Sequence, residues 1–270
     1  MMAITRRVSD EEKTLYRQEI KISKDKIEEI KIREKNLLQS AKDNPDEVPL
    51  THLTLVDEML NLAECQFEID AISKTLLNIK NEEALNEGRK TIYKGLIYLE
   101  SVVTDFVDAP FSDYEEKLAK IASFDAGQRF GLIEKIEKTI TLLKEAYGDN
   151  TKWKWSFVDI EGRFAAVAKN MLDLKKAVLN TDPRSPDYEP TVFHLRKVKE
   201  LLKFAADRHR EKYEMSTNIE DFQKGINFLR ALFRIHALMG ERNDAAEVKK
   251  KHAVWASKLQ TDIKGKKVRS

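Results

Sequence analysis

An all-α fold is what the sequence predicts, and three observations carry it. Only 9 glycines and 6 prolines occur in 270 residues, too few turn residues for a chain of many short strands. The prolines sit in three places: Pro45 with Pro49, Pro110, and Pro183 with Pro186 and Pro190. Proline breaks a helix interior, so the long stretches between them are candidate helices. Within those stretches apolar side chains recur every three or four residues, the period of a helix with one buried face. The expectation is about eight amphipathic helices: a long N-terminal antiparallel hairpin, then an irregular helical bundle or hairpin stack.

The first helix is expected over about 9–42. Ser9 followed by Glu12 has capping-box spacing, in which hydroxyl and carboxylate each satisfy an orphan backbone amide. Tyr16, Ile20, Ile27, Ile30, Leu37 and Ala41 form a coiled-coil-like seam, interrupted at Ser23 and Glu34. After a turn at 43–50, a second helix over 51–80 offers Val56, Met59, Leu60, Ala63, Phe67, Ile69, Ile72, Leu76 and Ile79. Similar lengths and a short turn make an antiparallel pair. A third helix is expected over 82–107, with Gly88, Ile92, Gly95, Leu99, Val102 and Phe106 on one stripe. Its two glycines are read as sites of close approach by another helix.

Ser112 and Glu115 suggest a second capping box, opening a short helix to 123. The next runs 125–147 and is closed by Gly148, with Ile133, Ile136, Ile140, Leu143 and Tyr147 inward. The most regular seam follows: Trp153, Phe157, Ile160, Phe164, Val167, Met171, Leu174 and Val178. Each step is three or four residues, so one helix is expected, with Phe164 and Met171 buried at its middle. Three more helices are placed at 191–215, 218–239 and 243–264. Thr217 with Glu220 reads as a third capping box and Gly240 as a C-terminal stop. Residues 265–270 are expected to lie outside the core. The three-proline connector at 180–190 sets a domain boundary: 1–182 as a bundle containing the hairpin 9–80, and 183–270 as a basic three-helix region packed on it. No regular tetratricopeptide period is present.

Charge is polarised along the chain. Residues 1–150 carry 22 basic and 30 acidic side chains, and residues 151–270 carry 26 and 16. That asymmetry permits head-to-tail association or a partner docked on one half. The hydrophobic share, 41%, excludes a disordered chain. One cysteine, Cys65, excludes an internal disulfide framework and a multi-cysteine zinc site. No apolar stretch approaches the length of a membrane span. No apolar h-region follows the N-terminal arginines, so a cytoplasmic protein is expected.

Catalytic signatures are missing. The chain has no P-loop, no G-x-G-x-x-G, no H-E-x-x-H and no G-x-S-x-G. None of its five histidines has a glutamate three residues before it, which argues against a di-iron bundle centre. His236 and His252 read as hydrogen-bonded core histidines. Cys65 beside Glu64 would have a raised thiol pKa and be unreactive. Glu64 and Glu68 trace a polar face better than a metal site. Arg6-Arg7-Val8-Ser9 resembles a basophilic phosphorylation pattern, but Ser9 already has a capping role. Lys152-Trp153-Lys154-Trp155 mixes charge and aromatics as single-strand binders do, yet Trp153 opens the best apolar seam.

No cofactor, metal or catalytic residue is therefore assigned. A non-catalytic scaffold or adaptor is expected, acting through a protein partner or self-association. Its contact residues would include Ile22, Ile32 and Leu38 beside the first seam, and Lys199, Lys203, Lys250 and Lys251 in the basic half. The alternatives are a nucleic-acid-binding protein using that basic half, with an acidic membrane surface as a related partner, or a helical enzyme with an unrecognised site.

Overall fold

The computed structural model describes residues 8–148 and 151–269, with side chains as far as Lys264. Ten α-helices and two 3-10 turns occur, with no strand among the described residues. The chain is all-α, with ten helices where about eight were expected; of the nine segments placed from the pattern, the long seam from Trp153 to Val178 divides in two. It divides into two compact units: residues 1–98 with 135–151, and residues 99–134 with 152–270. The connector at 180–190 lies inside the second unit.

In the first unit, α1 (Asp10–Asp43) is paired with α2 (Val48–Leu77). The Ser9 capping box is formed: Glu12 N donates to Ser9 Oγ at 3.1 Å and Ser9 N to Glu12 Oε2 at 2.8 Å. The buried line of α1 is Ile20, Ser23, Ile27, Ile30, Glu34 and Ala41, so both polar interruptions stay on the seam. Each is satisfied there. Ser23 donates to Glu68 at 2.8 Å, and Glu34 accepts from Tyr98 at 2.8 Å and pairs with Lys94.

The second helix starts earlier than its apolar pattern suggested. Pro49 is tolerated in the first turn, where its missing N–H costs nothing. It ends at Leu77, with Asn78 left-handed at φ 54°, which puts Ile79 outside the core. Buried residues face nearly every side of α2, marking it as the central helix of its unit. The glycines of α3 (Glu82–Val102) do allow close approach. A Cβ on Gly88 would lie 2.4 Å from the Phe67 ring, and one on Gly95 3.3 Å from Met59 Cβ.

In the second unit, α4 (Glu115–Lys120) is preceded by a 3-10 turn at Phe111–Asp113. Ser112 bonds Asp113 and caps nothing, so that expected box is absent. A reciprocal box opens α5 (Ala126–Tyr147) instead, between Asp125 and Gln128 at 2.8 and 2.9 Å. Gly148, at φ +72°, ends this helix as expected. All five inward positions read from the sequence, Ile133 to Tyr147, are buried, Ile133 in the second unit and Ile136 to Tyr147 in the first.

The regular seam is two helices, α6 (Lys154–Asn170) and α7 (Leu174–Asn180). Asp173 breaks it by taking an extended backbone and capping Lys176 N at 3.1 Å. The three- and four-residue steps continue through this break, which hid it from the pattern. Phe164 and Met171 are 2% and 0% exposed, as expected. Val178, at the far end of the seam, is 42% exposed.

Helices α8 (Tyr188–Ser216), α9 (Ile219–Leu238) and α10 (Arg242–Arg269) follow. α9 packs on both α8 and α10, and α6 packs on α8. Tyr213, Phe222 and Trp255 join the three in one aromatic stack, with centroids 4.6 and 5.7 Å apart. Gly225 lets α9 approach α8, since a Cβ there would meet the Ala206 carbonyl at 3.1 Å. The cap of α9 is Asn218, accepting from Glu220 N at 3.1 Å. Thr217 is instead the left-handed end of α8, so the third expected box is also replaced. Gly240, at φ +73°, ends α9. α10 continues past the expected end at 264, and the side chains of 265–270 lie outside the described residues.

Candidate functional site

The sequence-derived contact residues fall in both units: Ile22, Ile32 and Leu38 in the first, and Lys199, Lys203, Lys250 and Lys251 in the second. Ile22 and Ile32 are 59% and 61% exposed. Ten residues at 100° each leave them about 80° apart around α1, and charged residues lie one turn from each. Leu38 is half-buried. Lys199 is committed to Glu241 at 2.6 Å and Lys251 to Asp207 at 2.6 Å. Lys203 and Lys250 are exposed.

The other singled-out residues have local explanations. His236 Nδ1 meets Glu241 Oε2 at 2.5 Å. Burial opposes the charge on Glu241, but Lys199 and His236 hold its carboxyl below the usual range. His252 is half-buried and its Nε2 has no hydrogen-bond partner among the described residues, unlike the hydrogen-bonded core position expected; burial lowers its pKa, helped by Arg230. Burial first, then Glu68, pushes the Cys65 thiol up, in line with an unreactive cysteine. Lys152 and Lys154 each lie over the tryptophan that follows them, at 5.3 and 4.8 Å. Arg6 and Arg7 lie outside the described residues. Asp159, His209 and Asp221 converge on one point, but the Lys212 ammonium already sits 2.9 Å from Asp159 and 3.2 Å from Asp221.

One concave feature was not anticipated from the sequence. It is an apolar groove of about 510 Å³ in the second unit, within the range of ligand clefts. One wall is α7, through Leu174, Lys175, Val178 and Leu179. Another is α9, through Ala231, Arg234, Ile235 and Leu238. Residues Val107 to Phe111 form the third, and Lys169 at the end of α6 completes it. Val178, Leu179 and Leu238 are 42%, 73% and 46% exposed, so the groove opens to solvent through apolar lips.

Polar side chains hold the irregular third wall in place. α3 ends at Val102, short of the expected 107, and Phe106 is 71% exposed instead of inward. Buried Asn170 donates to the freed carbonyls of Thr104 and Phe106 at 2.9 and 3.2 Å. Arg234 donates to the Asp108 carbonyl at 3.0 Å, and Arg230 to its carboxylate at 2.9 Å. Lys169 donates to the Ala109 carbonyl at 3.1 Å and to Asn170 Oδ1 at 3.0 Å. Unwound backbone survives burial only when its carbonyls find such donors.

Lys169 is the unusual member. It is 4% exposed, its acceptors are neutral, and its ammonium lies 4.9 Å from the Tyr114 ring centre. Burial pushes its pKa down to about 8, with Asp108 working against the shift and Arg234 adding to it. The groove therefore combines apolar walls with three cationic side chains, Lys169, Lys175 and Arg234, against one carboxylate, Asp108. Chemically this arrangement desolvates an apolar body and favours negative charge beside it.

What fold and site define together is an all-helical protein with an open, cation-edged apolar groove. No described helix is long and apolar enough to cross a membrane. The chain belongs to the TP0443 family, whose model matches residues 12–263. No curated protein and no solved structure matches it.

Proposed function

We propose that this chain is a non-catalytic adaptor that binds another protein, and that the groove between α7, α9 and residues 107–111 receives an apolar helical segment of that partner. The observation carrying this reading is the row of exposed apolar lips, Val178, Leu179 and Leu238, above buried Ile235 and Ala231. An amphipathic helix seats its apolar face in such a groove. On α1, Ile22 and Ile32 lie about 80° apart around the helix, so we place the contact surface in the groove of the second unit instead of on the hairpin.

Substituting Leu179 and Leu238 together with lysine tests the reading. Leu179 is 73% and Leu238 46% exposed, and a lysine can lay its apolar stem along the wall with its ammonium in water, so thermal melting of the double variant should stay close to the parent. Charge on an apolar contact is costly to desolvate, so recovery of the partner by affinity purification should fall at least about tenfold. Unchanged recovery with unchanged melting would remove the groove from the interface.

A further inference from the structure

Resting on that reading, we propose that the groove selects its occupant by charge. The partner segment is an amphipathic helix with acidic residues flanking its apolar ridge, and its carboxylates meet Arg234 on the α9 side and Lys175 on the α7 side.

Three features of the groove carry this. The first is charge balance. Lys169, Lys175 and Arg234 line it against Asp108 alone, and Asp108 is already engaged by both Arg230 and Arg234. The second is donor capacity. Arg234 is 49% exposed and bonds Asp108 through Nη1. A guanidinium carries five N–H donors, so a second carboxylate can be taken without releasing the first. Lys175 is 68% exposed, with Glu115 as its ion-pair partner at 2.5 Å, and an ammonium has three donors. The third is length. The seven residues of α7 span about 10 Å at 1.5 Å per residue. Such a wall covers about two turns of an opposing helix, enough for apolar residues at i, i+4 and i+7 with acids on either side. A basic segment of the same shape would bring its cations against Arg234, Lys175 and the buried Lys169 ammonium, and like charges across an interface are disfavoured.

The experiment uses the full chain and three synthetic 16-residue helices sharing one leucine ridge. Their flanking positions are all glutamate, all glutamine or all lysine. Fluorescence anisotropy gives each affinity at low and high salt. The glutamate peptide should bind tightest and the lysine peptide weakest, with a gap of at least about tenfold that narrows as salt rises. The Lys175→Glu variant should shrink or reverse that order, and glutamine-peptide binding reports whether its groove is intact. Equal affinity for all three peptides, or preference for lysine, overturns the charge rule while leaving the groove reading standing. Failure of all three to bind, with the Leu179→Lys/Leu238→Lys variant indistinguishable from the parent, overturns the groove reading and this proposal with it.

Discussion

Phe164→Ala should lower the unfolding free energy by about 3–5 kcal/mol. Phe164 is 2% exposed in α6, and every residue from Phe164 to Asn170 is buried. Three of its next four neighbours along the chain are alanines, Ala165, Ala166 and Ala168. They carry little side chain that could relax into the space an alanine at 164 would leave, so the cavity cost adds to the lost transfer energy. Urea denaturation of parent and variant measures the difference. A change below about 1 kcal/mol would mean that the seam is not core.

Acid should weaken the fold well before the carboxylates protonate. His194 and His209 are each 2% exposed. Burial pushes His194 down to about 4, with its bond to the Ala168 carbonyl opposing and Arg129 adding. Burial, then Lys224, pushes His209 down to about 4 as well. A histidine whose folded pKa lies below its unfolded value of about 6.5 takes up its proton first in the unfolded chain. Its contribution is therefore intact above pH 6.5 and is lost as pH falls from there towards 4. By pH 4.5 the loss should reach about 2–3 kcal/mol for each histidine. Denaturation curves at pH 7.5, 6, 5 and 4.5 give the slope, and His209→Gln should remove about half of the histidine-linked part. A flat profile between pH 7 and 5 would show that these imidazoles titrate normally in the folded protein.

The sequence makes local features legible and distant ones opaque. Ser9 and Glu12 are three residues apart, so their mutual cap can be read directly. Ser23 and Glu34 look like defects in a seam because their partners, Glu68, Tyr98 and Lys94, lie on other helices. The break at Asp173 is masked by apolar spacing that runs through it unchanged, although an aspartate immediately before the apolar Leu174 is a capping signal. Thr217 with Glu220 has the right spacing for a box, but the backbone turns left-handed at Thr217 and hands the cap to Asn218.

The groove is the least legible part, since its walls come from three separate stretches. Val178 looks like core because the seam reaches it, yet nothing in its own stretch reveals that its neighbours stop short of covering it. One signal was available. The run Phe164 to Ala168 has no polar residue, and a helix apolar on all sides is central. Lys169 and Asn170, which follow directly, are therefore buried polar groups that must find partners. They find them in the unwound backbone of 104–109, and this shapes the groove.

The most direct test of the adaptor reading is site-specific photo-crosslinking in cells of the native organism. A photoreactive phenylalanine analogue is placed at Leu179 in the groove or at Ile22 on α1, and adducts are identified by mass spectrometry. Both positions are exposed, so each samples whatever the protein meets. The account predicts a defined protein adduct from position 179, absent from position 22 and lost when Leu238 is replaced by lysine. The same adducts from both positions, or a position-179 adduct that survives Leu238→Lys, would contradict it.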